Sequence, residues 1–309
     1  MAQSSSADEK HLPAVYTRVF YELVHRAHAI PDSRFHFDFK QFVPDFHNSS
    51  AAVQRVTNLE SYQCATTVFV APHNSLEELR VRALKDGKKV LTTTHAMRRG
   101  FVLLDPERID SGKIEFAGML DFVEKAGVGK ILTVAEIQDQ NITVDVCITG
   151  SKVITGQGRQ LDSLYSEESW TLFDLQWAIL LDRKIVNVET PVVALVHDCQ
   201  VVDEETEGLG TAQNEPWHVP FDFIATPTET IEMKDTRKPD SGVPWAAISD
   251  QTLGVVSPLP ELKGIQMMEA IMKRGNVFQE TSAPTPKPPT AEEMMGISIV
   301  ERLMEGYKP

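Results

Sequence analysis

The sequence predicts an α/β fold, an open and mostly parallel sheet with helices on both faces. Three observations predict it. The apolar run Val144 to Thr149 is followed by the small pair Gly150-Ser151, a polar Gly-containing loop from Gly156 to Ser169, an apolar segment from Trp170 to Leu181, and a second apolar run from Pro191 to Val196. That order is strand, loop, helix, strand, the βαβ unit of a parallel sheet. Residues 66–94 show the same order a second time. The strands of both units are continuously apolar rather than alternating, as burial on both faces requires. Open sheets of this kind take ligands beyond the carboxyl ends of their strands. Gly150 to Arg159 and His197 to Cys199 lie at two such ends.

In chain order, residues 1–10 are small, polar and charged, and are expected to be disordered. Leu12 to His28 carries apolar residues at helical spacing. Arg34 to Phe46 reads as an extended segment or loop. Ser50 to Leu59 reads as a short helix capped by Ser49 or Ser50. Thr66 to Ala71 is a strand. Ser75 is placed as the cap of a helix running to Lys85, with Glu77 and Glu78 in its first turn and Gly87 as its stop. Val90 to Thr94 and Phe101 to Leu104 are strands, and Phe116 to Ala126 is a helix. Ile131 to Ile137 reads as a surface strand or extended segment. After the central unit, Asp203 to Trp217 is an acidic loop and Phe221 to Ala225 a strand. Val243 to Ile248 reads as a final edge strand, where Pro244 is tolerated. Leu259 to Arg274 is a helix with a Met-rich face. Together, residues 11–280 form one domain. Thr281 to Thr290 is a Pro-rich linker. Within the tail 291–309, Ala291 to Met304 is an amphipathic helix that needs a surface to cover it, in its own body or in a homodimer.

The 309 residues include 30 Lys and Arg against 44 Asp and Glu, a net charge of −14. That balance disfavours nucleic acid and anionic membranes as partners. Hydrophobic content of 42% and charged content of 24% are ordinary for a globular protein. Cys64, Cys147 and Cys199 are too few and too scattered for a disulfide framework or a zinc site, and no metal site is expected. MAQSSSADEK lacks the pattern of a signal peptide, and no apolar run is long enough to span a membrane. The expected setting is a reducing, cytoplasmic one.

Several side chains could carry chemistry. His197, Asp198 and Cys199 are the densest reactive set, with His197 as acid or base and Cys199 as nucleophile. The plainer alternative is a turn in which Asp198 caps and Cys199 is buried. Tyr165, Glu167, Glu168 and Asp174 lie in the loop and at the start of the helix that follows. A carboxylate there can be a general acid or base, or can simply favour a helix N-terminus. Arg98 and Arg99 follow a strand beside His95, placed to hold an anionic group or to be solvated. Gly150 and Ser151 let a ligand approach, and Thr226, beside Pro227, lines the same region.

The stretches VPDFHNSSAAVQRV at 43–56, ALKDGKKVLTTTHAMRRGF at 83–101, VDVCITGSKVITGQGRQ at 144–160, ETPVVALVHDCQVVDEE at 189–205 and FDFIATPTETI at 221–231 occur in one order. That order resembles the 5-formyltetrahydrofolate cyclo-ligase (methenyltetrahydrofolate synthetase) family, and most closely its divergent methenyltetrahydrofolate synthetase domain-containing branch. The resemblance covers residues 10–250. It implies a Rossmann-like α/β sandwich related to sugar-phosphate isomerases and CoA transferases. It also implies an ATP- and magnesium-dependent activity, in which ATP phosphorylates a formyl oxygen of the folate and ring closure expels phosphate. The family holds its phosphates with a Lys and an Arg four residues apart on the first helix and with a Gly-rich loop ending in Tyr and Asp. This sequence departs at both places. The helix positions look like Leu12 and Tyr16. In the loop Gly156, Gly158 and Arg159 remain, but Asp162, Ser163 and Leu164 stand where further glycines are expected. Side chains there obstruct the close backbone approach that phosphate needs.

The leading expectation is a small-molecule enzyme on this fold that has lost ATP dependence. It would do acid–base chemistry such as isomerisation, ring closure or opening, or a lyase or dehydration step. His197 with Glu168 or Asp174 would be the acid–base pair, and Arg98, Arg99 or Arg159 would hold an anionic or heterocyclic substrate. One alternative is the ATP- and magnesium-dependent cyclo-ligase itself. Another is a non-catalytic binding or regulatory protein.

Overall fold

The computed structural model describes residues 8–119, 123, 128–162, 170–207, 216–234 and 236–280. Its centre is an eight-stranded sheet ordered β10-β9-β7-β5-β1-β2-β3-β4. The strands are β1 (Thr67–Val70), β2 (Lys89–Thr93), β3 (Phe101–Leu104), β4 (Lys130–Leu132), β5 (Val146–Thr149), β7 (Val192–Leu195), β9 (Phe223–Ala225) and β10 (Thr230–Glu232). The two short strands β6 (Ile154–Thr155) and β8 (Val201–Val202) form a separate parallel pair. Five central strands run parallel, β9, β7, β5, β1 and β2. Antiparallel partners close both edges, β10 on one side and β3 with β4 on the other. The expected mostly parallel α/β sheet is therefore present.

The helices are α1 (Asp8–His25), α2 (Ser49–Asn58), α3 (Glu60–Gln63), α4 (Glu77–Lys85), α5 (Ile114–Ala117), α6 (Val134–Asp139), α7 (Leu172–Asp182), α8 (Asp250–Val255) and α9 (Pro258–Glu280). The chain steps from β1 through α4 to β2 in one direction across the sheet. It steps from β5 through α7 to β7 in the other. Right-handed crossovers then place α4 and α7 on opposite faces. The reversal falls between β1 and β5, which pair Val68 with Val146 and Phe69 with Cys147.

Both β1 and β5 are buried along their whole length, as continuous apolar runs predict. Phe69 of β1 lies 6.3 Å from Phe173 of α7, and Phe173 stacks on Phe221 at 6.2 Å. Each fully buried ring of this kind contributes about 2–3 kcal/mol of transfer free energy. Gln176 of α7 donates to Thr93 Oγ1 at 2.8 Å, so the buried amide has a partner.

Four local expectations differ from the structure. Val243 to Ile248 is not a strand. Trp245–Ala247 forms a 3-10 turn, and the true edge strand is β10. Ile131 to Ile137 divides into β4 and α6, because Thr133 and Glu136 form a reciprocal capping box that starts a helix. Neither Ser49 nor Ser50 caps α2. Asn48 occupies that position in the left-handed region, and the Ser50 hydroxyl donates to Glu78. Ser75 sits inside a 3-10 turn, Asn74–Leu76, and caps nothing. The helix expected over 116–126 is described only at Ile114–Ala117. The Pro-rich linker, the tail helix and the homodimer contact expected of it lie outside the described residues, as does most of the disordered start.

The chain divides into two compact units at Leu262 and Lys263, inside α9. In the second unit Met267, Met268, Ile271 and Met272 are exposed. Among the described residues no helix is long and apolar enough to cross a membrane.

Candidate active site

The carboxyl ends of β1, β2 and β5 open into a cleft of about 460 Å3. It lies at the reversal of strand order, where doubly wound sheets take their ligands. β1 delivers His73 and Asn74, the turn after β2 delivers His95 and Arg98, and β5 delivers Gly150 and Lys152. Trp170 to Phe173 at the start of α7 form one wall, and Phe35 and Phe42 of the long N-terminal loop form the other. Phe35 and Phe42 stack at 6.3 Å, and Phe35 lies 6.0 Å from His95. The turn after β2 is conformationally unusual, with Ala96 and Met97 at φ of 51° and 55°.

A Cβ at Gly150 would come within 2.9 Å of Val43 Cγ1, so only glycine lets the loop close over this strand end. Asp162 secures the loop from below. Its carboxylate accepts from the backbone N–H groups of Lys152 and Val153, from Ser151 Oγ and from Gln160 Nε2, at 3.0 to 3.1 Å. Ser151 is fully buried in this contact and is a loop anchor.

His73 was not singled out in the sequence. Its position directly after the Thr66 to Ala71 run was the signal that could have found it. Its Nε2 lies 3.2 Å from Thr149 Oγ1. Burial, with Arg80, Lys152 and His95 adding repulsion, pushes its pKa down to about 3. Because the unfolded chain binds a proton near pH 6.5 and the folded site does not, stability must fall as pH drops through the window from about 6.5 to about 3. The expected loss between pH 7 and pH 4.5 is on the order of 1–3 kcal/mol, since His73 is only half-buried. Urea midpoints of wild type and His73→Gln at both pH values check this. Equal acid sensitivity in the two proteins would remove His73 as the cause.

The other expected site residues fall into groups. Arg98 is exposed at the cleft mouth. Arg99 is exposed too, does not line the cleft, and donates its backbone N–H to Thr94 Oγ1. Asp174 is 3% exposed. One of its oxygens accepts from Val219 N–H at 2.9 Å, and the other from Thr171 N–H at 2.8 Å and faces His218 Nδ1 at 2.9 Å. That carboxylate closes the capping box of α7 and ties it to the strand-leading segment 218–219. Tyr165, Glu167 and Glu168 lie outside the described residues.

His197, Asp198 and Cys199 form a 3-10 turn after β7 that packs on α1 and lines none of this cleft. His197 Nδ1 accepts from Cys199 N–H at 3.1 Å, and its ring meets Phe46 edge-on at 5.4 Å. Burial lowers the His197 pKa and pushes the Cys199 thiol up to about 12, with Glu22 adding to the latter. A thiol in that state is a poor nucleophile at neutral pH. Burial alone would raise the Asp198 pKa, but hydrogen bonds from Thr226 and Thr228 outweigh it. Thr226 itself is buried and closes the β9–β10 turn by accepting from Thr228 and Glu229 N–H.

Gly156, Gly158 and Arg159 do not line the cleft either. Gly158 has φ of 81°, and a Cβ there would meet Met233 Cγ at 3.0 Å and Phe221 O at 3.1 Å. Arg159 is bonded to Glu204 at 3.0 Å. Tyr16, at the position of the family's helix cation, is 1% exposed. Among the described residues no group of three His, Cys, Asp or Glu suits a metal ion.

A cleft at the switch point of a doubly wound sheet, walled by aromatic rings and rimmed by cations, is the form that ligand sites take in α/β proteins. Its curated relatives carry one name, methenyltetrahydrofolate synthase domain-containing protein. The one from Homo sapiens is 26% identical over 250 residues, 80% of this chain and 60% of that protein. The one from Bos taurus is 28% identical over 222 residues, 72% of this chain and 54% of that protein. These relatives support the cyclo-ligase-like placement that the motifs indicate. The chain spans little more than half the length of each. No family model matches it. The NMR structure of Aquifex aeolicus 5,10-methenyltetrahydrofolate synthetase covers 73% of this chain and 94% of its own at 12% identity. Its TM-score is 0.40, too low to transfer any residue.

Proposed function

We propose that this protein is a small-molecule enzyme that binds a planar, anionic heterocycle of the folate class in the switch-point cleft and acts on it by proton transfer without ATP. The observation that carries the reading is a contrast between this cleft and the Gly-containing segment outside it. Aromatic walls at Phe35, Phe42, Trp170 and Phe173 and the exposed Arg98 make a slot suited to a flat ring with a carboxylate. The segment that would cradle a triphosphate is packed on Met233 and Phe221, with Arg159 bonded to Glu204. His95, beside Phe35 on the cleft wall, is the titratable group best placed to exchange a proton with a bound ring. The relatives' name supports the folate class.

Calorimetric titration tests it. The full chain should bind 5-formyltetrahydrofolate, and Arg98→Ala should weaken that binding about tenfold by removing one charge-assisted contact. Magnesium ATP should give no heat of binding. Nucleotide binding together with ATP-dependent formation of the 5,10-methenyl product, read by absorbance, would establish the cyclo-ligase instead.

A further inference from the structure

The part of α9 that lies in the second compact unit carries an apolar face in water. Met267, Met268, Ile271 and Met272 are 60%, 55%, 60% and 62% exposed. At about 100° per residue they form one stripe, about 140° wide. Gln266, Glu269 and Lys273 occupy the opposite side. A folded protein seldom leaves so many adjacent large apolar side chains uncovered. Gly264 sits in the same stripe, three, four and seven residues before Met267, Met268 and Ile271. A Cβ at Gly264 would meet nothing, so its own surroundings do not require a glycine. Glycine weakens a helix interior, and what it offers in return is a shallow place where a second backbone can come close.

The chain itself holds a segment that matches this face. Beyond Glu280, where the described residues end, come the Pro-rich stretch 281–290 and then 291–304. At helical spacing, 291–304 gathers Ile297, Ile299, Val300, Leu303 and Met304 on one side, with Ser298, Glu301 and Arg302 on the other. The lengths agree. A helix over 291–304 is about 21 Å long, and the same length measured back along α9 from Glu280 reaches Gln266, just past the whole stripe. The ten residues between reach about 31 Å when extended, against about 8–10 Å between packed helix axes, so they can reverse the chain. The charges agree as well. Residues 263–274 carry Lys263, Lys273 and Arg274 against Glu269, a net +2. Residues 291–309 carry Arg302 and Lys308 against Glu292, Glu293, Glu301 and Glu305, a net −2.

We propose that the Met-rich face of α9 is the docking surface for residues 291–304 of the same chain, which lie antiparallel on it as a helix. In this register Val300 meets Ile271 and Leu303 meets Met268. Methionine suits such a surface, since its unbranched side chain adapts to what packs on it. The tether decides between this occupant and a second copy of the chain. A short linker holds its segment at an effective concentration in the millimolar range, so the face is filled from within before another molecule reaches it. A helix of this length is marginal alone in water, so its formation and its docking are one event.

Amide hydrogen exchange on the full chain tests this, with sedimentation run on the same samples. The amides of 297–304 should exchange at least about tenfold more slowly than in a free peptide of 291–309. Met268→Glu combined with Met272→Glu changes only exposed positions, so the body stays folded. That variant should return 297–304 to within about twofold of the peptide rate. Glu269→Gln, on the opposite side of α9, should leave the protection unchanged. Fast exchange of 297–304 in the wild type overturns the proposal, and so does protection that survives the double substitution. Protection that appears only as protein concentration rises, together with a dimer in sedimentation, assigns the face to a second copy and overturns docking within one chain.

Discussion

Arg80→Met is expected to destabilise the protein by about 3 kcal/mol. Arg80 is 1% exposed. Its guanidinium reaches three carbonyls and no carboxylate. Nε donates to Gly118 O at 2.7 Å, and Nη1 to Ala71 O at 2.9 Å and to His73 O at 3.1 Å. Burial pushes its pKa down to about 10, which still leaves it charged at neutral pH. Methionine fills part of the space but donates nothing. The Ala71 and His73 carbonyls each keep one local backbone N–H, from His73 and Leu76. The loss therefore falls mainly on Gly118 and on the missing packing. Because Arg80 holds the carboxyl end of β1 where His73 begins, ligand affinity should fall as well. Chemical denaturation measures the first effect. A loss below about 1 kcal/mol would mean that water replaces the guanidinium, and that the strand end holds itself.

Asp174→Ala is expected to cost a similar amount, about 2–4 kcal/mol, against about 1 kcal/mol for Thr171→Ala at the same cap. Threonine loss removes one arm of the capping box. Aspartate loss removes the other arm and also takes one acceptor from Val219 N–H and one from His218. The comparison separates a structural carboxylate from a catalytic one. A general acid on the rim of a cleft could be replaced with little loss of stability and great loss of activity. If Asp174→Ala unfolds at the wild-type denaturant concentration, its structural role is excluded and acid–base duty returns to it.

Much of the fold was legible because its strands are buried on both faces. TVFV, KVLTT, VCIT and VVAL are apolar or β-branched runs bounded by polar or small residues, and each became a central strand. The edges were harder. TIE is two exposed residues around a half-buried Ile231, too short for a periodic signal, and its pairing with β9 sets it as a strand. VPWAAI looked apolar enough for an edge, but Pro244 breaks the ladder, and the segment turns instead. At Thr133 the signal was present and unused, since a threonine followed three residues later by glutamate announces a helix start.

The position of the cleft followed from strand ends, and Gly150 and Arg98 line it. Its chemistry did not follow. His197, Asp198 and Cys199 drew attention by density, but density says nothing of direction. A 3-10 turn folds their ring and thiol back toward α1 and Phe46. His73 stands alone in APHNS, and its contact partner Thr149 lies far along the chain. Gly158 lies outside the cleft, yet its turn needs a small residue as much as a phosphate cradle does, because a Cβ there would meet Phe221 and Met233.

The pairing of β1 with β5 has a consequence for how the chain reaches this structure. Val68 meets Val146, whereas β1 and β2 are joined through α4 by a short crossover. Each βαβ half can gather by closing a modest loop, but the seam between the halves waits for a much longer one. The cleft lies on that seam. A ligand that fits it binds only chains in which the two halves have joined, and withdraws them from the pool that can still separate.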